Sequence, residues 1–232
     1  MSASTKKLLA GVRVAPSILS ADFGVLREQV GEVLAAGARV IHVDVMDGHF
    51  VPPITIGPLV VSALREQADE VGGMLDVHLM IERPERQVAE FVRAGAHSVT
   101  FHAETTPHAA YAANLIRESG ACVGVAINPG TPVQALGELA GALDLALCMT
   151  VSPGWGGQPF IARSPEKIAR LRALLDGQGS TAALEVDGGI DSTTAPLCRS
   201  AGTTTFVAGS AIFHAAEPGE AYRAIVAAAG AE

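Results

Sequence analysis

Eight times along this chain, a short apolar run rich in β-branched residues gives way to an amphipathic helical pattern. The strand candidates are VRVAPSIL (12–19), RVIHVDVM (39–46), MLDVHLM (74–80), HSVTFHA (97–103), CVGVAIN (122–128), LDLALCMTV (143–151), AALEVDG (182–188) and TTTFVAG (203–209). Helical stretches such as DFGVLREQVGEVLAAG (22–37) and PERQVAEFVRAGA (84–96) separate them. Several end in Ala-Gly, a stop that releases the chain into the next strand. Strands alternating with helices build a parallel sheet covered by helices. Eight such units in 232 residues favour one closed (β/α)8 TIM barrel over an open sheet. No linker or composition break divides the chain, so residues 1–232 read as a single domain. The opening MSASTKKLLAG (1–11) reads as a flexible N-terminal tail.

Composition narrows the function. The net charge is −8, and no basic stretch exceeds Lys6-Lys7, so the positive face that nucleic acid requires is missing. No apolar run approaches the roughly 20 residues that span a bilayer, and the amino end lacks the apolar segment of a secretory signal. A cytoplasmic enzyme that engages neither membrane nor nucleic acid is expected. The three cysteines, Cys122, Cys148 and Cys198, are odd in number and far apart, as buried reduced thiols would be. Lysine occurs only at positions 6, 7 and 167, never at a strand end, which leaves a Schiff-base aldolase or a pyridoxal enzyme without its nucleophile.

The informative residues are polar ones inside strands. In a barrel the functional face is the carboxyl end of the strands, and residues two apart on a strand share a face. His42, Asp44 and Met46 therefore point inward together. On the third strand Asp76, His78 and Met80 do the same, on the seventh Glu185 and Asp187; the first contributes Ser17 and the sixth Met149. Buried imidazole and carboxylate groups cost free energy unless something satisfies them. Strands 2 and 3 are neighbours, and strand 7 lies three steps round, so Asp187 can face Asp44 across a central cavity. Two imidazoles and two carboxylates converging there suit one divalent metal ion, with Zn2+ the first choice and Fe2+, Mn2+ or Co2+ compatible with the mixed N/O set. His49, His97, His102, His108 and His214 take a structural or solvent-exposed reading; among them His102, at a strand end in FHAE, is the one to watch.

Three glycine-rich loops follow the last strands: SPGWGGQ (152–158), DGGI (187–190) and AGSAIF (208–213). Glycine lets backbone approach a ligand and leaves N–H groups free to cradle an anion. In barrels the loops after strands 7 and 8, with a short extra helix, form the usual phosphate site, and SAIF could supply that helix. None of these loops carries Lys or Arg, so phosphate binding would rest on amides.

From APSILSADF to VAGSAIF, through HVDVMDGHFVP, VHLMIERPE, TFHAE, INPGTP, MTVSPGWGGQPFI and EVDGGI, the chain resembles ribulose-phosphate 3-epimerases. The resemblance implies a barrel of the ribulose-phosphate-binding type that epimerises ribulose 5-phosphate to xylulose 5-phosphate at C3. It implies His42, Asp44, His78 and Asp187 as metal ligands, with Asp44 and Asp187 doubling as the acid–base pair. Ser17 would hold substrate hydroxyls. Met46, Met80 and Met149 would cap the reacting carbons. Gly156, Gly157, Gly188, Gly189, Gly209 and Ser210 would take the phosphate, and His78 and Gly154 would also line the substrate. Pro53, Ser152 and Trp155 depart from the family pattern, where Asn, Asn or Glu, and Phe are usual. All three lie in loops near the substrate, which leaves the chemistry intact and keeps open a 3-epimerase of a hexulose 6-phosphate such as allulose 6-phosphate. A non-catalytic phosphosugar-binding barrel is disfavoured by the presence of both aspartates and both histidines, and a metal-dependent hydrolase or aldolase by the lack of any extra nucleophile or lysine base. Two bases suit epimerisation because the C3 proton leaves from one face and returns on the other. Exposed strand-end loops such as VPPITIGP (51–58) could serve contacts between chains or cover the substrate, and a homo-oligomer, dimer or hexamer, is expected.

Overall fold

In the computed structural model, which describes residues 3–231, each of the eight apolar runs forms a strand. These are β1 (Arg13–Pro16), β2 (Val40–Met46), β3 (Met74–Met80), β4 (Ser98–His102), β5 (Cys122–Ile127), β6 (Leu145–Met149), β7 (Ala183–Asp187) and β8 (Thr205–Ala208). All pair in parallel in the order β1-β8-β7-β6-β5-β4-β3-β2. A parallel bridge from Ser17 to His42 joins β1 to β2 and brings the sheet round into a nearly closed (β/α)8 barrel.

Helices cover the outside: α2 (Leu26–Ala35), α3 (Pro58–Glu70), α4 (Val88–Ala94), α5 (Ala109–Glu118), α6 (Ser164–Gly177), α7 (Ala195–Ser200), α8 (Ser210–Phe213) and α9 (Pro218–Ala229). Their boundaries follow local chemistry. Helix α3 starts with Pro58 in its first turn, where a missing N–H costs nothing, and buries Val61, Leu64 and Ala68 on one stripe. Helix α4 ends at Gly95 with φ of 116°, a left-handed turn that glycine adopts without strain. Between β5 and β6 the connection is a 3-10 stretch, Val133–Ala142, rather than an α-helix.

The core has two layers. Outward strand residues such as Ile41, Val43, Leu75, Val77, Val123 and Val125 pack under the helices, and each large side chain so buried contributes about 1.5–3 kcal/mol. The inward layer at the strand starts is Val40, Met74, Cys122, Leu145 and Ala183. The amino-terminal segment departs from the flexible tail expected for residues 1–11: Ala3–Ala10 forms helix α1, and Leu9 packs buried against that inward layer. The tail reading missed this because KKLLA is too short to show a helical period, yet Leu8 and Leu9 meet an apolar ring that only the closed barrel creates.

Candidate active site

The pairing register of β2 with β3 sets His42 opposite Asp76 and Asp44 opposite His78. His42, Asp44 and His78 are all buried at the carboxyl end of the barrel, and Asp187 reaches them from β7. One donor atom from each of the four lies within 4.8 Å of the others. Asp44 is central: its Oδ1 is 3.0 Å from His78 Nδ1 and 3.3 Å from His42 Nε2, while Asp187 Oδ2 is 3.6 Å from His78 Nδ1. Ser17 donates its hydroxyl to Asp44 Oδ2 at 2.5 Å. The strand ends are braced by hydroxyls that the sequence reading did not single out. Thr55 donates to the Asp44 carbonyl and accepts from the Met46 N–H. Thr150 donates to the carbonyls of Asp187 and Gly188.

This donor set fits a divalent metal ion. His42 Nδ1 donates to Asp76 Oδ2 at 2.8 Å, which leaves Nε2 as the lone-pair nitrogen, and Nε2 has no aligned hydrogen-bond partner although it is fully buried. A buried acceptor turned toward two carboxylates and a second imidazole is what a cation requires. A second group, His42, Asp76 and Glu185, shares His42 with the first. Asp76 already accepts from His42 and Ser98, so this group reads as support beneath the site.

The same crowding separates the proton affinities. Burial alone would raise Asp44, but the two histidines outweigh it and hold its carboxyl far below the usual range. For Asp187 the balance reverses: burial, reinforced by the charge of Asp44, outweighs the opposing charge of His42 and pushes it up to about 7. Burial would lower His42, and Asp44 and Asp76 reverse that, raising it well above an ordinary histidine, so a cation binding at Nε2 would have to displace a proton there. Burial wins for His78 and for His102, the latter lowered to about 4.

A cleft of about 510 Å³ opens above the cluster to the solvent. Asp44, Asp187, Ser17, Met46, Met80, Met149, Gly154, Gly156, Gly157, Gly188, Gly189, Gly209 and Ser210 all border it; His42 and His78 lie fully buried beneath its floor. Met46 and Met80 form an apolar group with Val51, and Met149 comes from the inward layer. At two of the glycines space leaves no alternative. A Cβ at Gly188, where φ is 117°, would come within 2.3 Å of Val151, and one at Gly189 within 2.7 Å of the Phe160 backbone nitrogen. The segment after Gly209 is the short helix α8, as expected from SAIF.

The cleft also has residues, among them Ser20 and Gln158, that the sequence reading did not single out. Ser20 borders it, and its hydroxyl stands where a Cβ on Gly209 or Gly156 would be, at 2.7 and 3.3 Å. Gln158 ties the loop after β6 together by donating to the carbonyls of Ser152 and Trp155. Trp155 borders the cleft while remaining 61% exposed. Beneath the cleft lies His102, given a structural reading in the sequence but marked there as the one to watch, whose Nε2 lies 2.8 Å from His78 Nε2. Its FHAE setting was a signal, but only the three-dimensional arrangement names its partner. Cys122, Cys148 and Cys198 are buried, with no disulfide among the described residues, as expected. Burial pushes the Cys148 thiol up to about 11 and the Cys198 thiol to about 12, which removes both as nucleophiles.

A family model described as the ribulose-phosphate 3 epimerase family matches residues 13–213, nearly the whole barrel. The chain belongs to this family. Ribulose-phosphate 3-epimerase from Bacillus subtilis (strain 168) is 50% identical over 203 residues, covering 87% of this chain and 92% of that protein. The chloroplastic ribulose-5-phosphate-3-epimerase of Arabidopsis thaliana is 49% identical over 216 residues, covering 92% and 76%. A crystal structure of 3-hexulose-6-phosphate synthase superposes with a TM-score of 0.68 at 20% identity, over 94% of this chain and 99% of that one, a likeness of fold. As a member of this family, the chain carries its His42, Asp44, His78 and Asp187 cluster under a glycine-rimmed cleft. No helix among its described residues is long and apolar enough to cross a membrane.

Proposed function

We propose that this chain interconverts D-ribulose 5-phosphate and D-xylulose 5-phosphate by two-base proton transfer at C3. The observation that carries the reading is the placement of Asp44 and Asp187 on β2 and β7, bordering one cleft from different walls and meeting at the same histidine, His78. One carboxylate takes the C3 proton from one face of the sugar, and the other returns a proton to the opposite face of the flat enediolate. General acid–base transfer of this kind contributes roughly 10²–10⁴ in rate. Ser17 holds one oxygen of Asp44 and fixes its direction, and it is placed to reach substrate hydroxyls. Met46, Met80 and Met149 keep water from the carbanion. The amides around Gly156, Gly157, Gly188, Gly189, Gly209 and Ser210 take the phosphate, with Gly154 and His78 completing the substrate surroundings.

His42, Asp44, His78 and Asp187 would hold one divalent ion, Zn2+ by preference. When bound, such an ion would supply positive charge that offsets the negative charge of the enediolate, an effect of several kcal/mol. The relatives' names support the pentulose phosphate over a hexulose 6-phosphate as substrate. We place the enzyme in the cytoplasm, as a single-domain subunit of a homo-oligomer.

Turnover of ribulose 5-phosphate and allulose 6-phosphate by purified protein, with metal analysis, tests the reading. The pentulose should give the higher kcat/KM, chelation should remove activity, and Zn2+ should restore it. Full activity in metal-free protein would refute the four-ligand assignment, and a preference for the hexulose would refute the substrate.

A further inference from the structure

We infer that His102 and Glu104 are positioning residues that fix the ring of His78 through its outer nitrogen. The inference rests on the four-ligand reading above and extends it to residues outside the cleft. His78 turns Nδ1 toward Asp44 at 3.0 Å and Asp187 at 3.6 Å, so Nδ1 is the nitrogen that faces the ion cluster. A ligating Nδ1 carries no proton, and the His78 proton must then sit on Nε2. That atom lies 2.8 Å from His102 Nε2, and the two ring planes differ by only 23°, the arrangement of an in-plane hydrogen bond. Two nitrogens at that distance share one proton, so His102 presents a lone pair there and keeps its own proton on Nδ1. His102 Nδ1 faces Glu104 Oε2 at 3.4 Å, a polar contact to the carboxylate without the alignment of a good hydrogen bond.

Glu104 is itself anchored. Its Oε1 accepts from the Asn128 N–H at 2.8 Å and from the Thr131 hydroxyl, both on the loop after β5. Lys167 of α6, the one lysine outside the amino-terminal segment, donates to the carbonyls of Asn128 and Pro129 and holds that loop in place. Phe50 packs against the His102 ring in a tilted arrangement, with centroids 4.8 Å apart. His102 is fully buried and does not border the cleft, so it acts through His78. The two ligand histidines therefore have unlike outer partners. His42 donates directly to the carboxylate of Asp76, whereas His78 donates to a neutral imidazole with the carboxylate one ring further out. Outer partners of this kind change metal affinity by 10–100-fold.

The test uses the full chain, with Zn2+ affinity measured by competition with a chromophoric chelator and Co2+ absorption as a spectroscopic signature. His102→Leu, which has no acceptor, should lose 10–100-fold in Zn2+ affinity and shift the Co2+ bands. His102→Gln, whose amide oxygen can accept the His78 proton, should stay within a few-fold of wild type. Thermal unfolding of the metal-free variants should separate the two far less than Zn2+ affinity does. Should His102→Leu fail to fold, Glu104→Gln carries the test: a several-fold loss of Zn2+ affinity supports the relay, and wild-type affinity overturns it. Equal Zn2+ affinity in wild type and His102→Leu overturns the relay while leaving the four ligands standing. A wild-type protein that binds neither Zn2+ nor Co2+ overturns the ligand reading, and the relay with it.

Discussion

His42 and Asp76 are joined at 2.8 Å through Nδ1 and Oδ2, with both side chains wholly removed from solvent. This contact fixes which imidazole nitrogen is available to an ion, because the proton is committed to the carboxylate side. Removing the carboxylate in Asp76→Ala frees the ring to turn or to change tautomer. Zn2+ affinity should fall by about 10–100-fold in a chelator competition, with the eight strands retained by circular dichroism. Unchanged affinity would mean that His42 is not oriented by Asp76.

Asp44→Asn and Asp187→Asn each leave shape intact and remove one proton carrier. Epimerisation should fall by at least roughly 10²-fold in either variant. The two can be told apart by incubation in deuterated water. A two-base site should fail to wash the C3 hydrogen out of one epimer in one variant and out of the other epimer in the other. Wild-type exchange from both epimers in either variant would contradict two opposed bases.

Gly188 has φ of 117° and no room for a Cβ beside Val151. Gly188→Ala therefore combines backbone strain of about 1–3 kcal/mol with displacement of a cleft-lining side chain. The expected result is a lower melting temperature together with a KM for ribulose 5-phosphate raised by roughly tenfold, equivalent to about 1.4 kcal/mol of substrate binding. Unchanged KM would place the phosphate elsewhere.

Glu185 lies wholly buried beneath the cluster, and neither of its oxygens has an aligned hydrogen-bond partner. Burial, with the charge of Asp76, raises its pKa well above the ordinary 4.5. The folded chain therefore holds this proton to higher pH than the unfolded chain does. Stability then falls as pH rises from the unfolded value toward the folded one. In metal-stripped protein, Glu185→Gln should gain stability relative to wild type as pH is raised from about 5 to about 8. The check is a series of melting temperatures. A difference that stays constant with pH would show Glu185 ionised in the fold.

Strands were readable because parallel strands buried on both faces leave near-continuous apolar runs, and because a period of two places His42, Asp44 and Met46 on one side. The convergence of those residues with His78 and Asp187 followed from barrel order alone. What escaped depended on register and on contacts between distant segments. His102 meets His78 only because β3 and β4 pair with His78 opposite Thr100, which sets His102 two residues further along the adjacent strand. Ser20 enters the cleft through a 3-10 turn after β1, with no periodicity to announce it. Asp76 and Glu185 were visible as inward residues, but their approach to His42 from two strands is a product of barrel closure. Leu9 looked like part of a tail for the same reason.

That leucine has a last consequence. With α1 packed across the strand starts, the pole opposite the cleft is stoppered by side chains. Sugar arriving and sugar leaving must use a single doorway, so the two epimers exclude one another, and each should act as a purely competitive inhibitor of the other's conversion.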